Sequence, residues 1–305
     1  MSESTHPTGP AATGLGHTVR QVLLSSRPLS WINTAFPFAA AYVVTTGRVD
    51  ALLVVGTLFF LIPYNLLMYG INDVFDYESD LRNPRKGGVE GAMLDPGLHR
   101  TVLVSGIVTA LPLLVAMLVL AGAEHPSSWF ILAVSLFAVA AYSVPGLRFK
   151  ERPIVDSITS STHFVSPAVY GLAVAGAVVT PGLVALLVAF FLWGMASHAF
   201  GAVQDVVPDR EGGIASIATA LGAARTVRLA ITFWALAGVL MLFTGWPGLL
   251  ASVLAVPYIL AAWPFRSVTD ERAETANAGW KRFLWLNFLT GFLVTMLLIA
   301  WVMLF

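Results

Sequence analysis

The sequence contains no cysteine and little charge. Without cysteine among the 305 residues, disulfide bonds, thiolate nucleophiles and cysteine-ligated metals are excluded. Only 11% of the residues are charged, whereas a soluble globular protein carries about 25%. The 17 basic and 17 acidic residues cancel, which argues against a nucleic-acid partner.

Apolar residues make up 57% of the chain and gather in long stretches. A helix that crosses a bilayer needs about 20 mostly apolar residues. Nine stretches meet or approach that length: residues 28–46, 51–71, 101–123, 128–146, 155–178, 182–203, 227–244, 247–264 and 283–305. The first is short, and the fifth contains Asp156, His163 and many hydroxyl groups. The pattern predicts an all-α, multi-pass bundle of nine transmembrane helices in the cell membrane.

Basic residues occur in alternate connections between these stretches. The connections at 47–50, 124–127, 179–181 and 245–246 contain only Arg48, and the other 16 of the 17 basic residues lie on the opposite side. Because basic residues favour the cytoplasmic side, the N-terminus is predicted inside and the C-terminus outside. Residues 1–26, rich in Ser, Thr, Gly and Pro, are predicted to be a disordered cytosolic tail before a transmembrane domain at 27–305.

An acidic segment, Asn72–Asp80, directly follows the second stretch. In an uninterrupted helix Asn72, Asp76 and Asp80 share one face, with Asp73 beside it. Carboxylates at the negative end of a helix are unfavourable unless a cation neutralises them. Amide and carboxylate oxygens suit Mg²⁺, so the segment predicts a magnesium site, with a solvated acidic loop as the alternative.

A second acidic segment, Asp205–Asp209, ends the sixth stretch on the same predicted side. Pro208 weakens its helical spacing, because the residue before a proline disfavours α geometry. Two acidic segments beside basic residues suit a diphosphate held by metal ions. The planar guanidinium of Arg can bind two phosphate oxygens at once, and the ammonium of Lys supplies a compact positive charge. The basic candidates are Arg27, Arg82, Arg85, Lys86, Arg148 and Lys150.

The polar fifth stretch is predicted to face a protein-lined cavity, because polar groups are costly in lipid. His163 is a candidate proton acceptor there, although a hydrogen-bonded interior histidine is the favoured interpretation; His198 ranks below it. Acidic residues also bind coupling ions in transporters, usually near the bilayer midplane. Here they lie at helix ends beside basic residues, which favours an enzyme over a cation-coupled transporter.

These motifs resemble those of the UbiA superfamily of intramembrane prenyltransferases. Asn72–Asp80 is similar to its Asn-Asp-x-x-Asp-x-x-x-Asp motif and Asp205–Asp209 to its Asp-x-x-x-Asp motif. Arg27-Pro28 resembles the opening of its first helix, and Tyr142-Ser143 with the basic residues that follow resembles its Tyr-Ser…Lys-Arg segment. The resemblance implies nine helices around a lateral cavity that opens to lipid, where Mg²⁺ holds a prenyl diphosphate.

The resemblance also implies a role for each matching residue. The implied metal ligands are Asn72, Asp76, Asp80, Asp205 and Asp209. The implied catalytic carboxylates are Asp73, Asp76, Asp205 and Asp209. The implied diphosphate-binding residues are Arg27, Arg82, Lys86, Tyr142, Arg148 and Lys150.

Two runs, residues 142–153 and 205–216, are most similar to the lycopene elongase branch of this superfamily. That likeness implies transfer of a five-carbon unit from dimethylallyl diphosphate to each end of lycopene, an acceptor dissolved in membrane lipid. The resulting cation is quenched by loss of a proton or by water. Quinone, chlorophyll-like and glycerolipid acceptors are the alternatives.

Overall fold

The computed structural model describes residues 14–77, 81, 93–123 and 125–304. Within these residues the regular structure is helical and contains no strand, which confirms the all-α prediction. The helices are α1 (Leu15–Ser25), α2 (Ile32–Thr46), α3 (Ala51–Leu61), α4 (Pro63–Phe75), α5 (His99–Ala121), α6 (Pro126–Ser143), α7 (Val155–Val174), α8 (Pro181–Val203), α9 (Val206–Glu211), α10 (Ile217–Leu221), α11 (Ala223–Met241), α12 (Ala255–Ala262) and α13 (Asn277–Leu304). Short 3₁₀ segments extend several of them, among them Gly248–Leu254 before α12.

Seven helical segments of the described chain are long and apolar enough to cross a membrane. They are Ala51–Phe75, Pro96–Ala121, Pro126–Ser143, Pro181–Val203, Ala223–Thr244, Gly248–Phe265 and Asp270–Leu304. The first and fifth predicted stretches form α2, which has 15 residues, and α7, which carries the polar side chains. The chain is therefore a multi-pass membrane protein, while the count of nine spans and the orientation of the termini stay predictions.

Helix α1 differs from the predicted disordered tail. Val22 packs against the buried cluster of Leu66, Leu94 and Val102, whereas Leu15 and Leu23 on the same helix are exposed. These apolar residues have helical spacing, but the Ser, Thr and Gly residues around them make the segment look like a disordered tail in the sequence. The tail prediction is wrong for this part of the chain, and residues 1–13 lie outside the described residues.

Side-chain caps and prolines fix where several helices begin. The Asp50 carboxylate accepts a hydrogen bond from the Leu53 N–H at 3.0 Å, and the Thr180 hydroxyl accepts one from the Leu183 N–H at 3.2 Å. Pro181 occupies the first position of α8, where a missing N–H costs nothing. Helices α3 and α8 therefore begin within one residue of the predicted stretches.

Two clusters of buried aromatic side chains hold the bundle together. The first joins α2, α3, α4, α5, α6 and α7, and its aromatic members are Phe38, Tyr42, Phe59, Phe60, Tyr64 and Tyr170. The second joins α8, α11, α12 and α13, and its largest members are Phe200, Trp234, Tyr258 and Phe283. Since lipid is as apolar as these rings, close packing is what they contribute to stability.

Helix α7 lies inside the bundle, packed against α2, α6 and α8. Its Ser166 hydroxyl bonds the Ser135 hydroxyl at 2.8 Å. The Asp156 carboxylate is fully buried and accepts hydrogen bonds from the backbone N–H groups of Ser157 and Ile217, both at 2.6 Å. These partners satisfy groups that are costly in lipid, and the polar stretch faces protein as expected.

Gly171 marks a close approach between α7 and α2. A Cβ at this position would lie 2.8 Å from the Phe38 carbonyl oxygen and 3.2 Å from the Ala41 Cβ. Because a backbone atom cannot rotate away, Gly171→Ala is expected to destabilise the protein by roughly 1–3 kcal/mol. A lower melting temperature in detergent would report this loss.

The matched control for that prediction is Gly291→Ala on α13. A Cβ there has no neighbour within 4 Å, and alanine also favours the helix more than glycine does. Its melting temperature should be equal to or above that of the unmodified protein. Equal melting temperatures for the Gly171 variant and the unmodified protein would contradict the close packing of α7 on α2.

Candidate active site

A cavity of about 2070 Å³ lies among α2, α7, α8, α11, α12 and α13. On α8 its lining extends from Gly182 to Ala202, a length of about 30 Å at 1.5 Å per residue. Such a volume exceeds the roughly 300–1,000 Å³ of most small-molecule sites. Asp76, Asp205 and Asp209 border one end, which we call the acidic end, and the lining beyond it is mainly apolar.

The first acidic segment places Asn72 and Asp76 one helical turn apart. Helix α4 ends at Phe75, and the N–H of Asp76 donates to the Asn72 carbonyl oxygen at 2.9 Å. Both side chains line the acidic end, and the Ser143 hydroxyl donates to Asn72 Oδ1 at 3.0 Å. The predicted shared face of these two residues is therefore present, whereas Asp80 lies outside the described residues.

The second acidic segment keeps the same spacing. The N–H of Asp209 donates to the Asp205 carbonyl oxygen at 2.9 Å, and α9 begins at the intervening Val206. Pro208 lies in the first turn of α9, where backbone N–H groups have no partner within the helix, so the ring interrupts no bond. Asp205 and Asp209 both line the acidic end.

Arg27 connects the first acidic segment to the cavity. Its guanidinium donates to the Asp73 carboxylate at 2.8 Å and lies 4.5 Å from the centre of the Tyr69 ring. Arg27 lines the cavity, whereas the buried Asp73 is not among the described lining residues. This geometry favours a supporting role for Asp73, exerted through Arg27, over direct contact with a substrate.

Lys150 is a cation that lines the cavity together with both acidic segments. It forms an ion pair with Asp76 and lines the cavity. Burial lowers the pKa of Lys150 to about 8, while the carboxylates of Glu151, Asp73 and Asp209 act in the opposite direction. Asp76 from the first segment and Asp205 and Asp209 from the second line the same cavity as Lys150, so the two segments face the same space.

Two of the implicated arginines have a left-handed backbone. Arg27 has φ 49° and Arg148 has φ 40°, a conformation that costs about 1–2 kcal/mol for a residue with a Cβ. Arg148 lies 3.6 Å from the Asp76 carboxylate and also pairs with Glu151. Strain of this kind is concentrated at functional sites, where it aims a side chain.

The remaining predicted site residues divide into two groups. Arg82, Arg85 and Lys86 lie outside the described residues. Tyr142 lines the cavity, and its hydroxyl lies 3.2 Å from Nε2 of His198, which also lines it.

The structure reverses the order in which the sequence ranks the two histidines. His163 is buried, with its ring 5.4 Å from that of Tyr142, and it is not among the described lining residues. His198 borders the cavity and precedes Asp205, which follows the end of α8, by seven residues. The spacing of His198 from Asp205 could have indicated from the sequence that His198 lies near the site. No sequence pattern indicated the hydrogen bond from Ser143 to Asn72.

The oxygen donors at the acidic end fit Mg²⁺. Within the described part of the chain, no three acidic or histidine side chains lie close enough to enclose a metal ion by themselves. Mg²⁺ usually takes one or two carboxylates and completes its octahedron with water and substrate phosphates. Asn72 with Asp76, and Asp205 with Asp209, match ions that protein and diphosphate hold jointly.

Comparison with known proteins identifies the fold. The UbiA prenyltransferase family profile matches residues 34–289. A UbiA homolog from Archaeoglobus fulgidus bound to GPP and Mg²⁺ has a TM-score of 0.63 at 18% identity, covering 88% of this chain and 99% of that chain. A UbiA homolog from Aeropyrum pernix has a TM-score of 0.60 at 15% identity, covering 92% and 99%. The chain belongs to the UbiA prenyltransferase family and is a prenyltransferase.

Similar sequences place the chain in carotenoid biosynthesis. The lycopene elongase/hydratase of Corynebacterium glutamicum is 50% identical over 282 residues, 92% of this chain and 97% of that protein. The C(50) beta-cyclic carotenoids biosynthesis protein LbtBC of a Dietzia species is 54% identical over 294 residues, 96% of this chain and 67% of that protein. These likenesses confirm the predicted lycopene elongase branch and set aside the cation-coupled transporter.

Proposed function

We propose that the chain is a magnesium-dependent enzyme of the cell membrane that transfers a five-carbon unit from dimethylallyl diphosphate to the ends of lycopene. One observation carries this proposal: a single cavity joins an end rich in acidic and basic groups to an apolar channel about 30 Å long. The names of the most similar sequences support the acceptor. A UbiA homolog bound to DMAPP and Mg²⁺, with a TM-score of 0.64, supports the donor and the metal.

The acidic end holds the diphosphate and faces the cytoplasm. Asn72, Asp76, Asp205 and Asp209 would hold Mg²⁺, with Asp80 as a further ligand. When bound, Mg²⁺ neutralises the diphosphate and makes it a better leaving group. Arg27, Lys150 and Arg148 bind the phosphate oxygens together with Arg82 and Lys86. Lys150 forms an ion pair with Asp76. Because its side chain is flexible, its ammonium group can move from that carboxylate to a phosphate oxygen of the donor.

The apolar channel takes the acceptor. Lycopene is a stiff, linear polyene about as long as the hydrocarbon core of a bilayer is thick, about 30 Å. Rings such as those of Trp193, Phe190 and Tyr258 line the channel and can stabilise a cation by their faces. The alternative quinone, chlorophyll-like and glycerolipid acceptors also carry long chains, but none of them is named in the most similar sequences.

The acceptor enters from the lipid between α2 and α13. A second, apolar cavity of about 260 Å³ lies between these helices, lined by Phe36 and Val44 on one side and by Leu298 and Val302 on the other. Loose packing at this point supports a lateral entrance. Nine spans, with the N-terminus inside, would keep both acidic segments at the cytoplasmic face.

Transfer begins when the allylic C–O bond of the donor breaks and its electron pair leaves with the diphosphate. The terminal double bond of lycopene then bonds to the allylic carbon, which leaves a positive charge on the adjacent, more substituted carbon. Loss of a proton restores a double bond, or water adds and loses a proton to leave a tertiary alcohol. The chain contributes orientation at both ends and an apolar space that keeps other nucleophiles away.

Expression in lycopene-accumulating cells tests the proposed function. The pigment mass is expected to increase by one or two five-carbon units, with or without added water, relative to cells that carry an empty vector. Mass spectrometry of extracted pigments checks this result and fixes donor and acceptor together. Unchanged lycopene, with the protein present in the membrane, would rule out the lycopene acceptor.

A further inference from the structure

A hydrogen-bonded pair of side chains borders the cavity near its acidic end. Tyr142 lies in the last turn of α6, and its hydroxyl oxygen is 3.2 Å from Nε2 of His198 on α8. The other ring nitrogen of His198, Nδ1, lies 3.0 Å from the Ser157 hydroxyl. Both ring nitrogens of His198 are therefore engaged, and the two side chains that form the pair both line the cavity.

The pair extends from the acidic end into the cavity, because Tyr142 is next to Ser143, which bonds Asn72, and His198 lies deeper than Asp205. His198 precedes Asp205 by seven residues, which is about 10 Å along the axis of α8. A five-carbon donor held by its diphosphate at the acidic end extends toward this depth. The pair is thus near the carbon atoms on which positive charge forms after the new C–C bond is made.

Ser157, the partner of Nδ1 on His198, directly follows a buried carboxylate. Asp156 directly precedes Ser157 and has no exposed surface. The Ser157 hydroxyl accepts a hydrogen bond from the tautomer of His198 that carries its proton on Nδ1. In that tautomer Nε2 is an acceptor, and the Tyr142 hydroxyl donates to it. The lone pairs of the tyrosine oxygen remain available to the cavity.

We propose that Tyr142, supported by His198, accepts the proton that ends each prenyl transfer; this inference rests on the proposed function. A C–H bond beside the cation breaks, its electron pair forms the new double bond, and its proton goes to the tyrosine oxygen. When water adds instead, the proton comes from that water. In both cases Tyr142 passes its own proton to Nε2 of His198, and the imidazolium later returns one proton to water.

The neighbouring groups are poorer acceptors. Arg27 and Lys150 are cations, and the carboxylates of the acidic end belong to the metal and diphosphate site. His163 is packed beside the Tyr142 ring but is not among the described residues that line the cavity. Direct diphosphate binding by Tyr142 is the competing role, and it requires the same hydroxyl hydrogen that His198 accepts.

Two variants, Tyr142→Phe and His198→Asn, separate these roles in membranes supplied with Mg²⁺, dimethylallyl diphosphate and lycopene. Formation of elongated pigment is expected to fall by about 100-fold, the usual contribution of general acid–base catalysis. The KM for the donor should stay within about twofold, because donor binding is unaffected. The ratio of alkene to alcohol among the residual pigments should also change, which a purely structural loss would not produce.

Tyr170→Phe is the matched control, since it removes the same oxygen from a tyrosine in the first aromatic cluster. Its pigment yield and composition should equal those of the unmodified protein. Pigment formation within about twofold of normal in both test variants would overturn the inference. So would a raised donor KM in Tyr142→Phe with normal activity in His198→Asn. Absence of elongated pigment from the unmodified protein would instead refute the proposed function.

Discussion

Asp209→Asn is expected to lower prenyl transfer by on the order of 1,000-fold, because metal coordination supplies several kcal/mol of charge stabilisation in the transition state. The substitution preserves the shape of the side chain and removes only its negative charge. The backbone bond from the Asp209 N–H to the Asp205 carbonyl is independent of the side chain, so α9 should persist. Mg²⁺-dependent release of pyrophosphate from membranes, together with pigment yield, measures the effect.

Glu211→Gln is the matched control for this prediction. Glu211 lies two residues further along, at the exposed end of α9, and is not among the described residues that line the cavity. The change in charge is the same, so activity should remain within about twofold if charge near α9 has no general effect. Substantial pigment formation by Asp209→Asn would contradict the metal site, as would an equal loss in both variants.

Leu187→Trp is expected to abolish pigment elongation by a different route. Leu187 lines the apolar channel of α8, so an indole at this position fills space that the acceptor needs. The acidic end lies 18 residues away along the chain, or about 27 Å along α8, and should still bind the donor. Elongated pigment should fall at least about 100-fold, since several kcal/mol of apolar contact with a long acceptor is lost.

Val188→Trp tests whether that effect is steric exclusion from the channel. Val188 is the next residue on α8, is 42% exposed and is not among the described lining residues, so the larger ring points toward lipid. Pigment yield should then be close to normal. Donor-dependent protection of both variants against thermal unfolding, measured with Mg²⁺ and dimethylallyl diphosphate, would show that the acidic end is intact. Normal elongation by Leu187→Trp would place the acceptor elsewhere.

The positions of the apolar helices could be predicted from the sequence because length and hydropathy are local properties. The start of α8 differs from its prediction by one residue, since Pro181 and Thr180 mark it locally. Helix α1 could not be predicted in the same way, because its apolar residues are few and Val22 packs on a cluster far along the chain, formed by Leu66, Leu94 and Val102. Helix α2 was predicted as a span, but its 15 residues are too few to establish one.

The candidate site was predictable in its residue types and less so in its geometry. Asn72, Asp76, Asp205 and Asp209 follow from spacing, and the structure puts all four on one cavity. The sequence suggested that Pro208 interrupts a helix. The structure shows that α9 begins at Val206, so Pro208 lies in a first turn, where proline is tolerated. Contacts such as Arg27 with Asp73 join residues 46 positions apart, which no local pattern records.

Among the described lining residues, the acidic side chains lie at one end of the cavity, and this asymmetry matters for a symmetric acceptor. Under the proposed function, a polyene lying along α8 presents one terminus to the diphosphate while the other rests near the opposite membrane surface. To react twice, the molecule must leave sideways, reverse its direction in the bilayer and return. A singly extended pigment is thus a freely diffusing product of the first turnover. Its share of the total should depend on how readily the surrounding lipid lets a long, stiff molecule turn over.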